Sequence, residues 1–338
     1  MMPLITEAQL IDEIGCWLKT HLSVTVQSGN RIRRGLMNEK WIVETDKGRL
    51  FVKCYHPERY KERWQNTEFR AGFEDALQLQ LLFYQSGGRC PEPLALDGRC
   101  MHLLPCGRYM AVMTCCPGMM VPAGQMGERR MYALGRAAAD MHTVWDSAAV
   151  TGVGVAIPRK EPAYRLSRER MEQTWETNWD AARGSAGHIR NALQLQKAII
   201  DSLRQDDLAP PAPGWAHLDL WADNLLFEGD ALTAIVDFDR ARYSFPAMDL
   251  GRAVLSGTLS GGGFQRDAVA AFAEGYCSRR PLPPGSLVQA VKYVWCVETF
   301  WWIQPSMETS SVVPVRFAEE MMVTARNWEQ LDALLEGS

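Results

Sequence analysis

The 338-residue chain has no run of about twenty apolar residues, the length needed to cross the hydrocarbon core of a bilayer, so no membrane partner is expected. It has no excess of positive charge either: 36 Lys and Arg stand against 40 Asp and Glu, a formal net charge of -4. Proteins that track phosphate backbones cluster Lys and Arg to displace counterions, which makes nucleic acid an unexpected partner. Its nine cysteines form no CxxC pair and no zinc spacing, and an odd count in a chain too large to need staples indicates reduced thiols. The opening "MMPLITEAQLIDEIGCWLKTHL" lacks a basic segment followed by an apolar one, so it reads as an amphipathic helix rather than a secretory signal, and a cytoplasmic location is the expectation. The sequence leaves the oligomeric state open.

What is present is ample core material, 47% hydrophobic residues, distributed in two textures. "MNEKWIVETDKGRLFVKCYHP" predicts two strands joined at a turn where Gly48 supplies positive φ. A helical stretch, "NTEFRAGFEDALQLQLLFYQSGG", ends at Gly87 and Gly88, and short strands follow around "CMHLLPCGRYMAVMTCC". From about residue 125 long helical patterns dominate, interrupted by a β-rich piece near residues 215 to 240. The expected fold class is α+β with two lobes: residues 1–113 form a small β-sheet lobe and residues 114–338 a larger, mainly helical one.

The chemistry concentrates in that β-rich piece. "HLDLWADNLLF", residues 217–227, places His217, Asp219, Asp223 and Asn224 among residues suited to a buried strand, and "AIVDFDRA" follows with Asp237 and Asp239. A hairpin through "EGDA" brings Asp219, Asn224 and Asp237 into one small volume. Phosphoryl transfer needs hard oxygen ligands for Mg²⁺, a carboxylate to accept the nucleophile's proton, and a cation on the phosphates. The spacing HxDxxxxN followed by a later Asp meets the first two needs. Lys53, in the apolar strand "GRLFVKCYHP", supplies the third. A carboxylate on the next helix should hold that lysine. Glu74 is the choice, with Asp75 and Glu68 as competitors because spacing does not fix the helix register.

With these residues in place, the chain resembles the aminoglycoside phosphotransferase and choline kinase family, which has a protein-kinase-like fold. "LGRAAADMHTVW", "HLDLWADNLLF", "IVDFD" and "PAMDLGR" carry the resemblance, which extends over nearly the whole chain. It implies Asp219 as catalytic base, Asn224 and Asp237 as Mg²⁺ ligands, Lys53 as a contact to the phosphates of ATP, and Thr114, Cys115 and Cys116 as the adenine-binding hinge. Gly35 and Asn38 then stand in the nucleotide loop, "RIRRGLMNEKW", where a single glycine replaces the usual two or three. Leu218, Trp221 and Ala222 also depart from the family's HGD and following histidine and proline, at positions bordering the acceptor site. Asp249 is expected to bond back to the catalytic loop and His217 to be structural. Asp223 is open between a supporting ligand and a solvated carboxylate, and Asp239 between assisting the metal site and anchoring the strand end.

Leu218 stands where protein kinases have arginine, and eleven residues separate Asp237 from Asp249, too few for a peptide-binding activation segment. The acceptor is therefore expected to be a small-molecule hydroxyl. Trp175 with Trp179, and Trp295 with Glu298 and Trp302, fall on single helical faces. Helix packing is the favoured reading. The alternative, an aromatic and acidic acceptor pocket, suits an amino sugar, aminoglycoside or amino alcohol. The competing function is a kinase-like binding or spore-coat-type structural protein with little activity.

Overall fold

The computed structural model describes residues 5–33, 38–151, 157, 159–162, 166–185, 187–298, 303 and 315–337. The chain begins with α1 (Glu7–Leu22), whose first turn is closed by a capping box between Thr6 and Gln9. Leu10, Ile14, Trp17 and Leu18 are buried at helical spacing and pack against the sheet that follows. That sheet is built from β1 (Val26–Ile32), β2 (Asn38–Thr45), β3 (Gly48–Tyr55), β4 (Met101–Leu103) and β5 (Tyr109–Thr114). It is antiparallel throughout, with strand order β1-β2-β3-β5-β4. The β2–β3 hairpin turns at Gly48, whose φ of 110° a side chain would resist. Its register places Lys40 directly across from Lys53.

After a short helical turn, α2 (Pro57–Tyr60), the helix α3 (Thr67–Gln85) lies across the other face of the sheet. Asn66 caps it by accepting from the Glu68 and Phe69 amides. Phe73 and Leu77 then pack with Tyr55, Tyr60 and Trp64 in an aromatic cluster. The chain leaves the sheet at Thr114 and enters the helical part through β6 (Met119–Met120).

The large core is formed by α4 (Gly127–Thr151), α5 (Arg168–Ala181), α6 (Gly187–Ser202), α7 (Ala247–Thr258), α8 (Arg266–Cys277), α9 (Ser286–Glu298) and α10 (Val315–Arg326). Helices α4 and α8 touch backbone to backbone. A Cβ on Gly135 would come within 2.2 Å of the Phe272 carbonyl oxygen, and one on Gly275 equally close to that of Tyr132, so only glycine permits the approach. The tryptophans of α5 form its seam with α6: Trp175 stacks on Trp179 at 5.3 Å and donates to the Leu193 carbonyl. Trp295 is buried with its indole on the Met321 carbonyl. Packing is thus what the described tryptophans of these faces do, while Trp302 lies outside the described residues.

Of the small sheets set into this core, two carry the loops of interest. In one, β6, β8 (Leu225–Glu228) and β9 (Ala231–Ile235) pair. In the other, β7 (Gly214–Ala216) pairs with β10 (Arg242–Ser244). Residues 217–224 span β7 to β8, and residues 236–241 span β9 to β10. The two loops therefore lie side by side, joined by a 2.9 Å bond from the Val236 amide to the Asn224 carbonyl.

Candidate active site

The first loop is held from beneath by Asp249, at the start of α7. Its buried carboxylate accepts from the backbone amides of His217 (2.6 Å) and Leu218 (2.7 Å), the bond-back expected from the sequence. His142 of α4 bonds the same carboxylate at 3.0 Å, and its other ring nitrogen meets the Tyr276 hydroxyl, also at 3.0 Å. These bonds hold Leu218 at φ 62°, in the left-handed region where glycine is the usual residue. The His217 ring stacks edge-on against Phe238 at 4.5 Å, and burial lowers its pKa, so it is neutral structural filling.

Asp219 and Asn224 then face each other across the loop. The Asn224 amide nitrogen donates to Asp219 Oδ2 at 2.9 Å and to the Asp219 carbonyl at 2.8 Å, which leaves the amide oxygen as the atom available to a hard cation. Asp219 Oδ1 accepts from the Trp221 indole (3.0 Å) and from Arg240 (3.3 Å). Asp223 reaches Arg316 of α10 at 3.7 Å.

Asp237, at φ 64°, presents its carboxylate to the sheet above. Lys53 bonds its Oδ1 at 2.6 Å and Lys40 its Oδ2 at 2.9 Å. Burial alone would raise this carboxyl, but the two ammonium groups outweigh it and hold Asp237 well below the usual carboxylate range. For Lys53, burial favours the neutral form, and the paired carboxylates Asp237 and Asp239 outweigh it in turn, raising the lysine. Asp239 lies 2.6 Å from Lys53 and accepts from Asn38 (2.8 Å) and Tyr55 (3.3 Å). Burial, with Asp237 alongside, raises it.

The lysine tether expected of Glu74 is not what the structure shows. Its carboxylate accepts from the Cys100 and Met101 amides (2.9 and 2.7 Å) and from Gln78, so it serves as a clamp on β4. The register of α3 turns Glu74 toward that sheet edge, and Asp239 from the far lobe takes the place beside Lys53. Asn38 also differs from a loop that bends toward phosphates: it is buried, accepting from Tyr60 and donating to Asp239 across the lobes. Gly35 lies outside the described residues. Lys40, Tyr55 and Arg240 join the site without a signal drawn from the sequence, and Trp221, noted there only as a departure beside the acceptor site, joins it as a donor to Asp219. Lys40 was the findable one, because a hairpin turning at Gly48 pairs it with Lys53.

Two cavities meet at this cluster. One, of about 250 Å³, is a largely apolar slot lined by Ile42, Phe51, Met113, Leu226 and Val236 and bordered by Thr114, Cys115 and Cys116, so the three residues expected to form a hinge share one wall. The other, of about 680 Å³, is rimmed by charged side chains and takes in Asp219 and Arg240 beneath α3. Lys40, Asp237 and Asp239 line both. The arrangement suits a flat apolar group in the slot, a polyanion over the lysines and a polar reactant beside Asp219. Among the described residues no three His, Cys, Asp or Glu side chains gather as a self-sufficient metal centre. Two protein oxygens, from Asn224 and Asp237, match the way Mg²⁺ is held with phosphate and water completing its shell.

Comparison with known proteins places these features in context. The model of the phosphotransferase enzyme family matches residues 28–284. A homoserine kinase of Methylobacterium radiotolerans is 28% identical over 254 residues, covering 74% of this chain and 71% of its own. Among solved structures, a microcompartment-associated aminopropanol kinase superposes with a TM-score of 0.61 at 17% identity, covering 96% of this chain and 98% of its own. The GDP complex of wild-type aminoglycoside 2'-phosphotransferase-IIIa also reaches 0.61, at 14% identity with 96% and 99% covered. At these identities the structures bear on the fold, which is the two-lobed protein-kinase-like one.

Proposed function

The chain belongs to the phosphotransferase enzyme family, and from that premise we propose that it transfers the γ-phosphoryl group of ATP to a hydroxyl of a small amine-bearing acceptor. The observation that carries this reading is the junction of the two cavities at Lys40, Asp237 and Asp239, with Asp219 inside the acceptor-side cavity. The slot takes the purine against the wall formed by Thr114, Cys115 and Cys116. Lys53 and Lys40 exchange their carboxylate partners for phosphate oxygens. Asn224 and Asp237 would hold Mg²⁺, whose charge would offset that of the nucleotide's phosphates. Asp219, fixed at both oxygens, orients the acceptor hydroxyl and takes its proton.

The acceptor side carries Glu68, Asp75 and Glu161 together with Arg63, Lys160 and Arg242, with Lys160 3.7 Å from Glu68, a mixed lining that accommodates an acceptor bearing an amine beside other polar groups. The relatives' names support the same class, since homoserine and aminopropanol each carry an amine and a hydroxyl. A screen of ATP consumption over hydroxy amino acids, amino alcohols, amino sugars, aminoglycosides, nucleosides and neutral sugars tests it. Turnover is expected with at least one of the amine-bearing acceptors. Phosphorylation of neutral sugars with every amine-bearing alcohol ignored would overturn the acceptor class. The kinase-like binding protein is the weaker reading, because the complete set of base, metal oxygens and lysines is assembled in one place.

A further inference from the structure

Trp221 stands two residues past Asp219 in the same loop, and its place there bears on how Asp219 works. An ionised carboxylate offers about two acceptor sites on each oxygen. At Oδ1 of Asp219 both are taken, by the Trp221 indole N–H at 3.0 Å and by Arg240 at 3.3 Å. Among the described residues Oδ2 accepts from the Asn224 amide alone, at 2.9 Å.

The indole is itself locked. The Arg252 guanidinium lies over its ring at 3.9 Å and is anchored by Glu298 (2.6 Å) and Glu320 (3.1 Å), the first at the end of α9 and the second on α10. The Phe317 ring covers it at 4.0 Å. Trp221 is buried, and its backbone amide bonds the Asp219 carbonyl at 2.9 Å, so the indole has no alternative direction.

We propose that Trp221 is the positioning residue for proton transfer: its indole N–H, with Arg240, saturates Oδ1 of Asp219 and leaves Oδ2 to receive the acceptor's proton. This rests on the reading of Asp219 as the base. In the step, the acceptor's O–H bond breaks and its proton passes to Oδ2. The oxygen's electron pair forms the new bond to the γ-phosphorus, and the bond from that phosphorus to the bridging oxygen breaks, leaving its electrons on ADP. The Arg252 anchor makes the aim of the base depend on α9 and α10.

The test is Trp221→Phe, which keeps an aromatic ring beneath Arg252 and removes the donor. The expected result is a roughly tenfold fall in kcat with the KM for ATP within about twofold of wild type, the size of one lost hydrogen bond to a charged group. An unchanged kcat, or an equal loss of ATP affinity, would overturn the proposal. A second measurement does not depend on the variant's activity: in Asp219→Asn, the Trp221 indole ¹H–¹⁵N resonance should move upfield as its acceptor loses charge, and a resonance that stays put would also overturn it. Failure of the underlying reading looks different, since Asp219→Asn would then transfer phosphoryl at the wild-type rate.

Discussion

Leu218 offers a test of the catalytic loop's backbone that is independent of any substrate. It is 6% exposed and sits at φ 62°, so it contributes burial and bears a left-handed conformation at once. Truncating a buried leucine to alanine costs about 2–5 kcal/mol. Continuing to glycine ordinarily costs about 0.5–1 kcal/mol more, because the unfolded chain gains freedom. At a left-handed position the sign reverses: relief of the Cβ against the following carbonyl returns about 1–2 kcal/mol. Subtracting the two, Leu218→Gly should be about 0–1.5 kcal/mol more stable than Leu218→Ala. Urea unfolding of both variants measures this as a difference in midpoint at constant slope. A glycine variant less stable than the alanine variant by about 0.5 kcal/mol or more would refute the left-handed geometry, and with it the assignment of the Asp249 bonds as the clamp that enforces it.

Other perturbations follow from the same geometry. Replacing Asp249 by Asn removes a buried charge that accepts from two loop amides and His142, so stability should fall by about 2–4 kcal/mol in urea unfolding, with kcat falling more than the affinity for ATP. Lys53→Met leaves Asp237 and Asp239 facing each other without their shared ammonium, so a loss of about 3–5 kcal/mol is expected by the same assay, together with a raised KM for ATP. Glu298 has its carboxyl raised from 4.5 to about 7, by burial first, against the opposing pull of Arg252. A raised folded pKa gives stability that is complete below 4.5 and is lost as the pH climbs through 7, here roughly 3 kcal/mol. Glu298→Gln should therefore flatten the decline of the unfolding midpoint between about pH 4.5 and 7, and an unaltered slope would count against it.

Linear signals made part of this legible. Asp219, Asn224 and Asp237 are separated by one loop and one hairpin, so their convergence follows from spacing, and Lys53 follows from strand alternation. The helix α3 was legible as a helix but not in its rotation, which is set by packing of Phe73 and Leu77 under Tyr55. Spacing therefore points Glu74 at the lysine, whereas its carboxylate belongs to β4. The role of Asp239 is not legible in the sequence because its partners, Asn38, Lys53 and Tyr55, lie some 180 to 200 residues earlier, and only tertiary packing brings them together. Trp221 stands out in the sequence, but its bond to Asp219 depends on side-chain direction in a tight turn, which no spacing rule supplies.

The central claim is that Asp219 takes the acceptor's proton while Asp237 holds the metal beside the phosphates. The most direct measurement is the rate of phosphoryl transfer from ATP to the best acceptor of the screen, for wild type, Asp219→Asn and Asp237→Ala side by side. The account predicts a fall of about 10²–10⁴ for Asp219→Asn with ATP still bound, and no Mg²⁺-dependent turnover for Asp237→Ala. Wild-type rates in both variants would contradict it.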